Sequence, residues 1–227
     1  MEHEKDFETF KKEVIWFLKP NSNIKFIKQD FRISKEFSST FPKLSLLIEK
    51  ARVSNIKIDN QDYILFAWND LEDNICGWLN KIENEENKTL QLIHEHQLLL
   101  KNIGGIQESF NCPENSFCNN QNFMFINSEC FNGIGEYEDY YISACEEESF
   151  ERIDSSDFLS FAYEANGALT MYNPHNKEIF LFSHDHSFDN VNFIKNQPEY
   201  TFHSFKNVTT YVDYVEELAN QWIEHIK

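Results

Sequence analysis

The chain of 227 residues carries 38 Asp/Glu against 20 Lys/Arg, a formal net charge of −18 at pH 7. Such an acidic excess argues against DNA or RNA as a direct ligand, because phosphate repulsion would oppose every contact. No apolar run approaches the ~18 residues of a membrane span, while 41% hydrophobic residues, 22 of them Phe, can fill a real core in one large domain or two small ones.

In chain order, Phe7, Phe10, Val14 and Phe17 recur three and four apart and predict an amphipathic helix ended by Pro20. "NIKFI" reads as a short strand, and Leu44, Leu47, Ile48 and Ala51 as a second helix. "SNIKIDNQDYILFAW" predicts a hairpin turning at Asp59-Asn60-Gln61. Ile75, Leu79 and Ile82 suggest a further helix, followed by the polar break at residues 83–88, the one candidate domain boundary. From Thr89 a helix runs through "LQLIHEHQLLLKNI" to a cap at Gly104-Gly105.

"NFMFI" (122–126) and "YEDYYI" (137–142) read as strands, and "SSDFLSFAYEAN" as a short helix with Ser/Asp capping. "ALTMY", the turn "NPHNK" and "EIFLFS" form the strongest hairpin signal, and "YTFHSF" suggests another strand. The closing helix is the clearest: Tyr211, Val212, Val215, Leu218, Ala219, Trp222 and Ile226 trace one stripe behind Thr209 or Thr210 as cap. The pattern predicts an α+β fold, a largely antiparallel sheet flanked by helices, with residues 1–88 as an N-terminal α/β segment and 89–227 as the main domain.

The five cysteines form no CxxC pair, and the start "MEHEKDFETF" is charged where a secretory leader would be apolar. Reduced thiols and a cytoplasmic location are the expectation. Cys112, Cys118 and Cys130 lack the spacing of a zinc knuckle or ribbon.

Charge is unevenly placed. Residues 1–60 hold 12 Lys/Arg and 9 Asp/Glu, a net of +3; the remainder holds 8 and 29, a net of −21. Residues 129–164 alone carry eleven acids against Arg152. A solvated acidic face accounts for solubility; a clustered field of this size also attracts and steers a basic partner.

Three stretches carry a family likeness: "LLLKNIGGIQESF" (98–110), "ANGALTMYNPHNKEIFLFSHDH" (165–186) and "HSFKNVTTYVDYVEELANQWI" (203–223). Over roughly residues 89–227 the chain resembles the SUKH superfamily, whose bacterial members are mostly immunity proteins against secreted toxins. It departs from the family pattern in lacking the Gly-Asp elements often seen mid-sheet. The resemblance implies an α+β fold and a non-enzymatic role, binding and blocking a toxin domain, often a nuclease. It also offers a structural role for the Asp-His pair in "SHDH".

Two histidine motifs compete with that reading. In a strand, His184 and His186 would share a face and could grip one metal with Asp189 or His203, giving a metal-dependent hydrolase. Such a trio is common by chance, and strand exits collect polar residues, so the polar end of a strand is the preferred reading. "HEH" at 94–96 falls on a predicted helix, where i and i+2 diverge, and reads as a solvated face.

No GxSxG elbow, P-loop or GxGxxG is present. Phe180, Phe182, Phe188 and Phe193 read as core. The expectation is therefore no catalytic residue, cofactor or metal. The partner that the resemblance implies is a basic protein toxin, expected to be met by Glu136, Tyr137, Glu138, Asp139, Tyr140, Glu146, Glu147 and Glu148, joined by Asp185 and Asp189. Tyr141 is a further candidate anchor. A regulatory scaffold for another basic protein is the remaining alternative.

Overall fold

Phe7 and Phe10 on α1 (Glu2–Glu13) and Val14 just past its end make one apolar stripe and are all buried. In the computed structural model, which describes residues 2–83, 90–186 and 189–227, this helix packs on the back of a twelve-stranded antiparallel sheet. Among the described residues there are six α-helices. The sheet is built from β1 (Ile24–Ile27), β2 (Arg52–Ile58), β3 (Gln61–Asn69), β4 (Ile75–Ile82), β5 (Gly105–Phe110) and β6 (Gln121–Met124), followed by β7 (Phe131–Asn132), β8 (Leu159–Glu164), β9 (Leu169–Tyr172), β10 (Ile179–Phe182), β11 (Val191–Phe193) and β12 (Phe202–Phe205). The strand order is β1-β2-β3-β4-β5-β6-β8-β9-β10-β12-β11, with β7 pairing β8.

Side chains alternate across each strand, so the sheet has two apolar faces and needs two covers. The front is covered by α2 (Lys35–Thr40), α3 (Pro42–Glu49), α4 (His94–Ile103) and α6 (Tyr211–His225). On the back, α1 covers one end and α5 (Glu138–Glu148) the other, the latter over Leu169, Met171, Phe182 and Phe202. Both predicted hairpins form. β2–β3 turns at Asp59-Asn60, with Asp59 in the left-handed region (φ 54°), and β9–β10 pairs Tyr172 with Ile179 through Leu169 with Phe182. The last helix has a full capping box between Thr210 and Asp213.

Three predicted elements are of the other type. Residues 75–82 form β4, not a helix, because the strand is sandwiched: Cys76 and Trp78 face the front core, Ile75 and Leu79 the back. A strand buried on both faces loses the polar alternation that would have marked it. The stretch 155–166 contains β8 (Leu159–Glu164) and no helix; the Ser/Asp chemistry before it makes a turn, with the Ser156 N–H and hydroxyl both donating to Asp154 Oδ1. Residues 137–142 enter α5, because Tyr141 and Cys145, four apart, are its buried positions. Packing outweighs the strand preference of the tyrosines.

α4 starts at His94, past its predicted beginning at Thr89, which lies outside the described residues. Of the four phenylalanines read as core, Phe182 is fully buried, Phe180 half-buried and Phe193 exposed, while Phe188 lies outside the described residues.

The sheet runs unbroken across position 88: β4 pairs with β5 from Gly77–Phe110 to Lys81–Gly105. Residues 84–88 of the polar break are outside the described set. Glu83 just before it accepts the backbone N–H groups of Asn127 and Ser128 at 2.7 and 3.0 Å. Trp68 and Trp78 of β3 and β4 meet Trp222 of α6 at ring distances of 5.3 and 5.1 Å. Among the described residues no helix is long and apolar enough to cross a membrane.

Candidate protein-binding surface

With Tyr141 and Cys145 turned into the back core, α5 presents its remaining positions outward. Glu138, Asp139, Glu146, Glu147 and Glu148 are all exposed, as is Glu136 in the 3₁₀ turn Gly135–Tyr137 that leads in. None of these six carboxylates has a Lys or Arg nitrogen within 4 Å among the described residues, whereas the flanking Glu129 and Asp157 reach Lys81 and His175 at 4.0 Å. Three glutamates stand together in the last turn of α5, which holds no basic residue. There the helix dipole adds its own negative end, at a cost of about 0.3–1 kcal/mol per carboxylate.

The tyrosines divide. Tyr140 is 40% exposed and donates to the Tyr200 carbonyl at 3.1 Å. Tyr141 is 1% exposed, so it is a core residue and not a surface anchor. Its hydroxyl donates to Gln197 Oε1 and accepts the Ile153 N–H at 2.7 Å, tying α5 to the loops beyond it. Tyr137 is half-buried, its ring stacked on His184 at 4.5 Å and 25°.

That stack sits over Gly167, whose φ of +95° is open to glycine and strained for other residues. A Cβ there would also run into the Tyr137 hydroxyl. Gly167→Ala is therefore expected to destabilise the fold by about 3 kcal/mol. Adding Tyr137→Phe should recover part of that loss in a urea-denaturation cycle. A double variant no more stable than Gly167→Ala would show that the hydroxyl is not the obstacle.

β10 ends at Phe182, so His184 and His186 lie beyond the strand and the shared-face argument does not apply to them. His184 packs on Tyr137, while His186 Nδ1 meets Asp185 Oδ1 at 2.6 Å and Nε2 approaches Asn166 Nδ2 at 3.4 Å. Burial pushes the Asp185 carboxyl up, but the hydrogen bond from His186 and its charge outweigh it and hold the group below its ordinary range. Asp189 is exposed, its carbonyl accepting from Lys206 Nζ at 2.7 Å. His203 is buried, with Nδ1 on the Thr201 carbonyl at 3.0 Å. Among the described residues, no three His, Cys, Asp or Glu side chains stand close enough to hold a metal ion.

The helix motif "HEH" splits in a way that the solvated-face reading missed. His94 is exposed beside Glu36, but His96 is fully buried, Nε2 on the Phe125 carbonyl at 2.8 Å and Nδ1 near the Tyr172 hydroxyl at 3.3 Å. The Tyr172 oxygen accepts the Ile93 N–H, leaving its proton for Nδ1, so the imidazole is neutral with its proton on Nε2. Burial pushes its pKa down to about 4, against the pull of the Phe125 carbonyl.

Above pH ~6.5 both folded and unfolded states hold this residue neutral; as pH falls toward 4 only the unfolded state takes the proton. Wild type should thus lose about 1.4 kcal/mol of stability per pH unit across that window, on the order of 3 kcal/mol in all. His96→Gln should lack this component. Denaturation at pH 7, 6 and 5 checks it: parallel curves for the two proteins would contradict the assignment.

No family model matches the chain, and no curated protein or solved structure matches it either.

Proposed function

We propose that the chain is a non-enzymatic immunity protein that neutralises a basic toxin domain, a nuclease in the leading case, by covering it with the α5 surface. The observation that carries this reading is the row Glu146-Glu147-Glu148 at the carboxy end of α5, unpaired and set against the helix dipole. Such a placement costs stability in the free protein and is relieved when Lys and Arg side chains arrive. Glu136, Glu138 and Asp139 extend the same field, Tyr140 offers an exposed aromatic edge, and Asp185 and Asp189 add charge beyond it.

Two further supports are independent of that helix. The net charge of −21 beyond residue 60 suits a target whose own surface must be cationic to hold phosphate. The SUKH resemblance of residues 89–227 implies toxin blocking in the cytoplasm of a bacterium. Occlusion needs no catalytic group, cofactor or metal.

The test begins with affinity capture from the native host and stepwise salt elution. The captured polypeptide is then expressed alone and together with the chain. A single basic polypeptide whose toxicity disappears on co-expression supports the proposal. Growth that is inhibited equally in both cases rejects it.

A further inference from the structure

A cleft of about 690 Å³ opens on the front face, lined by the 114–120 loop, the end of β8, His186 and Asp189. It lies on the face of the sheet opposite α5. Phe117, 9% exposed and backed by the buried Tyr214 on which it stacks at 4.4 Å and 10°, forms one apolar wall. Glu164, half-buried at the end of β8, forms another. Its carboxylate accepts one long hydrogen bond, from Gln121 Nε2 at 3.4 Å.

Glu114 and Asp189 add negative charge at the rim, and no lining residue is Lys or Arg. Lys206 reaches the rim but is held on the Asp189 carbonyl. His186, the other titratable group nearby, is engaged by Asp185 and Asn166.

A half-buried carboxylate beside stacked rings repels anions. Metal chelation would need at least three ligating side chains together, and the described residues offer no such group. Among the described lining residues no Lys or Arg faces the Glu164 carboxylate. Burial pushes the Glu164 carboxyl up to about 7, against the pull of the His186 charge and the Gln121 hydrogen bond. Ammonium is a poor match, since it is compact and strongly hydrated. Guanidinium is planar, weakly hydrated, stacks on aromatic rings and meets a carboxylate through two parallel N–H groups. Asn115 and Asn120 supply side-chain acceptors that have no hydrogen-bond partner among the described residues.

We propose that this cleft binds a guanidinium group, with Glu164 as its counter-ion and the Phe117–Tyr214 pair as its apolar wall. The site shares Asp189 with the proposed toxin-binding acids but lies on the other face from α5, and the variants below leave Asp189 in place, so each reading can fail without the other.

The test uses the full chain and three probes followed by NMR: N-acetyl-L-arginine amide, free L-arginine and N-acetyl-L-citrulline amide. Saturable shifts are expected with the arginine compounds and none with the uncharged citrulline. Binding of the blocked arginine should weaken at least tenfold in Glu164→Gln. Asn115→Lys, an exposed loop change that sets a competing cation at the mouth, should weaken it similarly and serves if Glu164→Gln fails to fold. Blocked arginine binding better than the free amino acid would mark the ligand as a polypeptide side chain, and the reverse order a small molecule. Equal binding of citrulline, absence of binding, or unchanged affinity in both variants would overturn the proposal.

Discussion

A quadruple variant with lysine at Glu138, Glu146, Glu147 and Glu148 is expected to associate with the basic partner on the order of 100-fold more slowly than wild type. Its thermal stability should stay level or rise. All four positions are exposed and none is in an ion pair among the described residues. Lysine at the three last-turn positions complements the helix dipole where glutamate opposes it, which outweighs the opposite effect at Glu138 in the first turn. Stopped-flow association at low and moderate salt is the check. Wild type should lose its rate advantage as salt screens the field, and the variant should show little salt dependence. Rates that match at low salt would remove α5 from the interface and leave its charge as a matter of solubility alone.

Trp222→Ala carries the largest expected effect on stability, about 4 kcal/mol. The indole is fully buried between Trp68 and Trp78, and its N–H donates to Cys118 Sγ at 3.2 Å. Truncation leaves a cavity at the centre of the front core and removes one of the hydrogen-bond partners of the buried Cys118 thiol, which keeps Ser116. Because this contact joins α6 to β3 and β4, urea unfolding should remain a single transition displaced to lower denaturant. A loss under about 1 kcal/mol would mean that the surrounding rings collapse into the space.

What could be read from the sequence followed the chemistry of each stretch. Thr210 as cap, the Asp59-Asn60 turn and the buried Phe7–Val14 stripe are local signals that formed, although α1 ends at Glu13, short of the stop expected at Pro20. β4 and α5 depended on position in the assembly. "ICGWLNKI" is a strand because it lies mid-sheet with core on both faces, and no neighbour in sequence announces that. Gly77 carries the nearest thing to a clue, since a Cβ there would strike the Phe66 carbonyl and the Phe110 ring.

At the candidate surface the acids were legible from composition alone, whereas the burial of Tyr141 followed only once residues 138–148 were helical. His96 and Glu164 left no local mark. Their neighbours Tyr172, Phe125 and Gln121 lie far along the chain, and burial by such neighbours is what shifts both groups.

The tryptophan cluster also constrains the order of events during synthesis. β3 and β4 emerge from the ribosome early, carrying Trp68 and Trp78 with their front faces bare, and the helix that covers them is made long afterwards. A nascent chain therefore travels most of its length with aromatic surface open to water and to other chains, the condition under which holdase chaperones are recruited. Trp68 and Trp78 are closed off only when α6 arrives to cover them.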